Sequence, residues 1–302
     1  MNPKELLLHS EVDPRDGVLI HVDAESAGWE FIGLTVHRLE PGTPLPIESD
    51  GTEYAIVLLS GACTIVHEAA HIQLGPRGNI FDDPPWAYYL PVGSTCSVNA
   101  QATTEIAICR SKATEAHAPK VITPDDVAIE IRGAGNASRE IRHVIKPEFP
   151  ADKLLVVEVI TPSGNWSSYP PHKHDIHDMP RESDLEEIYY YRIDATDGFG
   201  LQRLYTADAS LDEAWVIRDG DLLLVPYGYH AFAMAQGYTG YYLNVLAGDE
   251  PVRTMQPSDD PHHAWVRATW NDAMNDGLDS WKDIETNING DAGKRTSTRA
   301  TS

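Results

Sequence analysis

Two histidines separated by a single residue, His172 and His174, follow directly on Pro170-Pro171 in the run Ser167 to Asp175. In an extended strand residues i and i+2 share a face, so both imidazoles can reach one divalent cation. Two further candidate ligands lie downstream. Glu187 heads the strand-like run Glu187-Ile188-Tyr189-Tyr190-Tyr191, and His230 closes the turn Pro226-Tyr227-Gly228-Tyr229-His230. Three imidazoles and a carboxylate leave one or two coordination positions for water or substrate, the donor count of a catalytic site rather than a closed structural one. With 13 histidines in 302 residues, chance supplies roughly half of an i,i+2 pair. The weight therefore rests on the turn and strand signals around the pair.

Those side chains need strands to carry them. Short runs rich in Val, Ile, Leu and Tyr, punctuated by Gly and Pro, fill the chain from about residue 17 to residue 250, as at Glu53 to Ser60, Trp86 to Leu90, Lys153 to Thr161, Asp221 to Val225 and Tyr241 to Leu246. This pattern predicts an all-β sandwich or barrel. Helical periodicity is weak except in the tail, where Ala264 to Glu285 has room for one or two short helices; from Thr286 the chain turns polar, and the last ~15 residues are expected to be disordered or held only by a neighbouring chain. On the run from Glu187, alternation turns only one of Glu186 and Glu187 inward. Choosing Glu187 makes the inward set Glu187, Tyr189 and Tyr191.

The strand signals occur twice. Glu53 and Glu187 lie 134 positions apart, and Pro91 and Pro226, like Gly93 and Gly228, lie 135 apart. Two tandem β-barrel modules follow: residues 1–145, residues 146–270, and a tail at 271–302. The first lacks histidine between Leu39 and Glu53 and has Thr95 where the second has His230. It is expected to bind no metal and to act as scaffold.

Charge and cysteine narrow the partners. Lys and Arg number 23 against 46 Asp and Glu, a formal charge of -23, which repels nucleic-acid backbones and anionic membrane surfaces. A small carboxylate substrate would need a local cation in its pocket. Only Cys63, Cys96 and Cys109 occur, and neither a signal core nor a membrane-length apolar run is present, so an intracellular, reducing location is expected. No Gly-x-Ser-x-Gly elbow or Walker loop occurs, and Gly133-x-Gly135 and Gly198-x-Gly200 lack the third glycine of a dinucleotide fingerprint.

The pair His172-x-His174, a carboxylate at a strand start, and Gly220-x5-Pro226-x-Gly228-x-His230 resemble the two motifs of the cupin superfamily, with a longer insertion, Asp175 to Glu186, before the glutamate. Within it, the runs Ser167 to Asp175, Leu185 to Tyr191, Gly198 to Tyr205 and Tyr241 to Gly248 resemble the 5-deoxy-glucuronate isomerases of myo-inositol catabolism, over about residues 15 to 270. The resemblance implies a cytoplasmic, homo-oligomeric bicupin built of two jelly-roll barrels. It also implies one divalent metal on His172, His174, Glu187 and His230, zinc first, with manganese, iron or nickel as alternatives. The implied reaction interconverts 5-deoxy-D-glucuronate and 5-dehydro-2-deoxy-D-gluconate, moving a proton from C2 to C1 through an enediolate stabilised by the metal. The base stays open among Glu186, Tyr189, Tyr191 and a metal-bound hydroxide. For the sugar-acid carboxylate Arg203 and Lys173 are the nearest cations by motif, Arg203 preferred, with Tyr242 as a further substrate contact. Two other readings share the fold: a mononuclear iron dioxygenase, and a non-catalytic sugar-binding bicupin.

Overall fold

A computed structural model describes residues 5–10, 17–270, 275 and 277–287. The chain is mostly β. Its strands begin with β1 (Leu7–Leu8), β2 (Val18–Val22), β3 (Ile32–Leu39), β4 (Leu45–Glu48), β5 (Thr52–His67), β6 (Ala70–Arg77), β7 (Trp86–Leu90), β8 (Thr95–Ala100), β9 (Thr104–Lys112) and β10 (Lys120–Ile122). They continue with β11 (Ala128–Arg132), β12 (Arg139–Ile145), β13 (Leu155–Thr161), β14 (Trp166–Lys173), β15 (Asp175–Asp178), β16 (Glu182–Asp184) and β17 (Glu186–Ile193). The last are β18 (Gly200–Tyr205), β19 (Asp212–Ile217), β20 (Leu222–Val225), β21 (Tyr229–Met234), β22 (Gly240–Ala247) and β23 (Ser258–Asp259). A 3-10 helix at Ala264–Thr269 and helical residues 281–287 occupy the stretch expected to hold short helices. The disorder expected at the chain end concerns residues outside the described ones.

Two large sheets have the same strand order. The first reads β10-β7-β5-β9-β3-β2 and the second β1-β20-β17-β22-β13-β12-β11. One end strand comes from far along the chain: β1 pairs with β20, Leu7 opposite Leu223, while at the matching place in the first sheet β10 pairs with β7, Val121 opposite Tyr88. Smaller sheets lie beside them, β4, β8 and β6 joined to β5 in the first half, and β19-β18-β21-β14-β23 in the second. Strands β11 and β12 pair onward to β13, so sheet membership changes between Ile122 and Ala128. The division expected at residue 145 follows β12, whereas the change of sheet precedes β11. A Val/Ile strand reads alike in either sheet, and only its pairing assigns it.

Strand β5 is apolar on both faces because it lies between two packed layers. Ile56 and Leu58 of β5 join Leu74, Val98 and Ile106 in the first half's own core. On the opposite face Ala55, Val57 and Leu59 belong to one continuous core with Ile188 and Tyr190 of β17. Buried charges cross the same boundary. The Arg77 guanidinium donates to both Glu158 oxygens at 2.8 Å, both side chains fully buried, and Tyr241 donates to the same carboxylate at 2.9 Å.

The register also corrects the internal comparison. Tyr54 lies opposite Leu90, just before Pro91, whereas Glu187 lies opposite Val225, just before Pro226. Glu53 therefore answers to Glu186, one residue away from the expected match, and Tyr54 stands where the second half has Glu187. The two glutamates do the same work in opposite directions. Glu53 accepts the backbone N–H groups of Asp152, Lys153 and Leu154 at 2.9, 2.7 and 2.7 Å. Glu186 accepts those of Glu30, Phe31 and Ile32 at 2.5, 2.8 and 3.0 Å. Each half thus ties down the entry of the other half's inner strand.

Candidate metal centre

The curved second sheet and its smaller partner face each other, and strand pairing brings the histidines together. His172 on β14 sits directly opposite His230 on β21. His174 lies just past the end of β14, turned to the same side. Pro170 and Pro171 offer no N–H to the ladder, and the register between β14 and β21 shifts between Ser167 and His172. His230 is aimed by the turn before it. Gly228 has φ +96°, its N–H donates to Asp175 at 2.6 Å, and a Cβ there would meet the Tyr205 carbonyl oxygen at 2.8 Å. Only glycine fits that turn.

The ring centroids of His172 and His230 lie 4.7 Å apart, those of His174 and His230 5.3 Å, and those of His172 and His174 6.3 Å. Each Nδ1 meets a backbone carbonyl: Pro170 at 3.2 Å for His172, Leu185 at 3.1 Å for His174, Gly228 at 3.2 Å for His230. A carbonyl only accepts, so every Nδ1 carries the proton and every Nε2 of a neutral ring presents a lone pair. One ligand nitrogen from each ring lies within 4.8 Å of the others. Glu187 Oε2 completes the set, 2.7 Å from His174 Nε2 and 3.1 Å from His230 Nε2.

This arrangement fits a divalent cation. His230 is fully buried, and its Nε2 lies 3.1 Å from Glu187 Oε2 but makes no well-directed hydrogen bond among the described residues. A cation between the three Nε2 atoms and the carboxylate would satisfy them together, and backbone-pinned Nδ1–H groups are how metal-binding imidazoles are held. The electrostatics agree. Burial, then the neighbouring imidazoles of His230 and His174, hold His172 well below its ordinary value and therefore neutral. Burial would raise the Glu187 carboxyl, but His174 and His230 outweigh it and hold it well below the usual range. For His174 burial acts downward and the Glu187 carboxylate, the larger combined influence, raises it.

A cavity of about 690 Å³ opens onto these ligands. Tyr189, Tyr242 and Ser168 line it, with the Ser168 hydroxyl 3.0 Å from the Tyr189 hydroxyl and 3.3 Å from that of Tyr242. Tyr191 lies behind, stacked on Tyr189 at 5.8 Å with its hydroxyl donated to Gln202 at 2.9 Å. Tyr191 does not line the cavity. Neither does Glu186: it shares the outward parity of Ile188 and Tyr190, and its carboxylate bonds the backbone of the first half. Lys173 is bound to Asp175 and Glu182, outside the cavity. Arg203 makes a two-pronged pair with Asp212, both bonds 2.9 Å, on the exposed side of β18. Neither cation lines the cavity. Sequence proximity to the motifs selected them, but the strand alternation that turns His172 inward turns Lys173 away.

Four arginines that the sequence reading missed do line the cavity: Arg132, Arg139, Arg181 and Arg267. Their one advance signal is the alternation in Arg139-Glu140-Ile141-Arg142-His143, a charged strand inside an otherwise apolar sheet. Arg139, Ile141 and His143 face the cavity.

The role of Glu186 is open to test. Glu186→Gln is expected to leave metal content unchanged while lowering unfolding free energy by about 1–3 kcal/mol, because charge-assisted bonds to backbone N–H groups weaken. Urea unfolding and elemental analysis of the same preparation check it. Loss of metal at unchanged stability would return Glu186 to the site.

The sequence profile of the KduI/IolB family matches residues 6–266. A protein of Geobacillus kaustophilus (strain HTA426) named 5-deoxy-glucuronate isomerase is 44% identical over 263 residues, covering 86% of this chain and 95% of that protein. The crystal structure of an IolB-like protein from Salmonella typhimurium LT2 superposes with a TM-score of 0.83 at 36% identity, over 87% of this chain and 99% of that one. A formate complex of oxalate decarboxylase from Lactobacillus farciminis superposes with a TM-score of 0.61 at 12% identity, over 93% and 95% of the two chains. That last likeness is one of fold alone.

Proposed function

Because this chain belongs to the KduI/IolB family, we propose that it is a 5-deoxy-glucuronate isomerase of inositol catabolism, an aldose-ketose isomerase acting at the three-histidine, one-carboxylate centre. The observation that carries the reading is the 44% identity to a protein of that name across 95% of its length. The remote likeness to oxalate decarboxylase brings no activity with it. We also read the two halves as copies of one cupin module. The shared strand order and the reciprocal roles of Glu53 and Glu186 support that reading. The first copy is then scaffold, with apolar side chains filling the space that opens as a cavity in the second. Three buried free thiols accord with a cytoplasmic location.

His172, His174, His230 and Glu187 would hold the divalent ion, zinc in the first instance. When bound, it supplies Lewis-acid polarisation of the sugar's carbonyl and hydroxyl oxygens, lowering the cost of the negative charge that develops as the proton leaves C2. The protein's own groups do the rest. The pinned Nδ1–H bonds fix the three rings, so the oxygens of a bound sugar meet a preset geometry. Burial, and then the charge on Glu187, keeps the Tyr189 phenol well above its ordinary value. Tyr189, with its Oη beside Ser168 and lining the cavity, is on this reading the protein group placed to exchange a proton with the sugar, and its raised value favours the protonated form that returns a proton.

The test is direct. Purified protein supplied with zinc is expected to convert 5-deoxy-D-glucuronate to 5-dehydro-2-deoxy-D-gluconate, to lose that activity with a chelator and to regain it with added divalent ion. Absence of turnover in metal-saturated protein would overturn the reading.

A further inference from the structure

We propose that Arg139 is the seat of the substrate's carboxylate, gripping the end of the sugar acid remote from the metal ligands; this rests on the isomerase reading above. Of the four arginines around the cavity, three are already neutralised. Arg132 pairs with Glu130, Arg181 with both Asp178 oxygens at 2.9 Å, and Arg267 with Asp259. Arg139 is 4% exposed and makes no ion pair among the described residues. Its bonds go to the carbonyls of Ala137 at 3.1 Å and Tyr169 at 3.3 Å, both from Nη1. Nε and Nη2 remain for another partner. A guanidinium presents paired in-plane donors that match the two oxygens of a carboxylate.

The surroundings are built around this side chain. Tyr169, whose carbonyl it holds, lies three residues before His172 on the same strand, so the guanidinium is fixed relative to the metal ligands. Gly133 has φ +90°, and a Cβ on it would stand 2.8 Å from Arg139 Nη1 and 2.1 Å from the Ala137 carbonyl oxygen. The turn between β11 and β12 can close over the guanidinium only with glycine there. Burial pulls the guanidinium down to about 10, which leaves it charged at neutral pH. A buried cation without a counter-ion is unfavourable in the free protein, and a bound carboxylate supplies that counter-ion. It also answers the long-range repulsion that a chain of formal charge -23 exerts on any anion.

The experiment uses metal-saturated protein, the variants Arg139→Met and Arg139→Lys, and two readouts: isomerase kinetics and calorimetric binding of D-glucuronate. For Arg139→Met, KM is expected to rise about 100-fold while metal content stays unchanged and kcat moves far less, the signature of a lost ground-state ion pair. D-glucuronate binding is expected to disappear in the same variant. Arg139→Lys, which keeps the charge and loses the fork, is expected to raise KM about tenfold, and it serves as the test should the methionine variant fail to fold. Unchanged KM and unchanged D-glucuronate binding in either folded variant would overturn the assignment while leaving the isomerase reading intact. Wild-type protein that binds D-glucuronate through Arg139 and turns over no 5-deoxy-glucuronate would overturn the isomerase reading and leave the seat standing.

Discussion

His230→Ala protein is expected to bind zinc at least about 100-fold more weakly than the wild type and to lose isomerase activity in proportion, while its unfolding remains cooperative. The expectation follows from position. His230 is the centre of the cluster, 4.7 Å from the His172 ring and 5.3 Å from the His174 ring, fully buried, with its Nε2 3.1 Å from Glu187 Oε2. Glu187→Gln should behave alike. It keeps the volume of the side chain and removes the charge that balances His174 at 2.7 Å. Elemental analysis after gel filtration, run beside the activity assay, checks both variants. Full activity in a metal-free His230→Ala preparation would eliminate the metal centre as the site of catalysis.

The second large effect is on stability. Arg77→Met is expected to lower unfolding free energy by about 3–5 kcal/mol, because it leaves Glu158 as a buried carboxylate without its cation. Glu158 receives Arg77 from the first half and Tyr241 from the second, and Arg142 approaches it only to 3.8 Å. The double variant Arg77→Met with Glu158→Gln should recover a large part of the loss, since a neutral amide tolerates an apolar neighbour better than a carboxylate does. Urea denaturation of zinc-saturated protein measures all three. If the single variant costs less than about 1 kcal/mol, the pair behaves as a solvated surface bridge and its assignment to the core is wrong.

The ligands were legible because they obey local rules. His172 and His174 share a strand face, Gly228 marks a turn, and Glu187 shares its parity with Tyr189. Each depends on neighbours a few residues away. The choice between Glu186 and Glu187 could be read by the same alternation, but the repeat comparison matched Glu53 to the wrong one, because two adjacent glutamates differ by a single step of register. The cations failed for a different reason. Arg139 is set by pairing of β12 with β13 and by a bond to Tyr169 thirty residues ahead, and long-range pairing leaves no mark near the motifs. Arg203 and Lys173, close to the motifs in sequence, are held by acidic neighbours instead. The tail was half legible. A helix could be expected there, but the donation of the Trp281 indole N–H to the Phe81 carbonyl, at 2.8 Å, could not.

The pairing of β1 with β20 bears on how the chain can be cut. Leu222–Val225 is all leucine and valine, and its outer row of peptide groups is covered by Leu7 and Leu8. A fragment beginning after residue 122 would retain every metal ligand but expose that strand as a bare, sticky border, the kind that recruits other chains into aggregates. Attempts to produce the ligand-bearing half alone should therefore yield insoluble material, the more so because the same cut bares the core face of Ile188 and Tyr190.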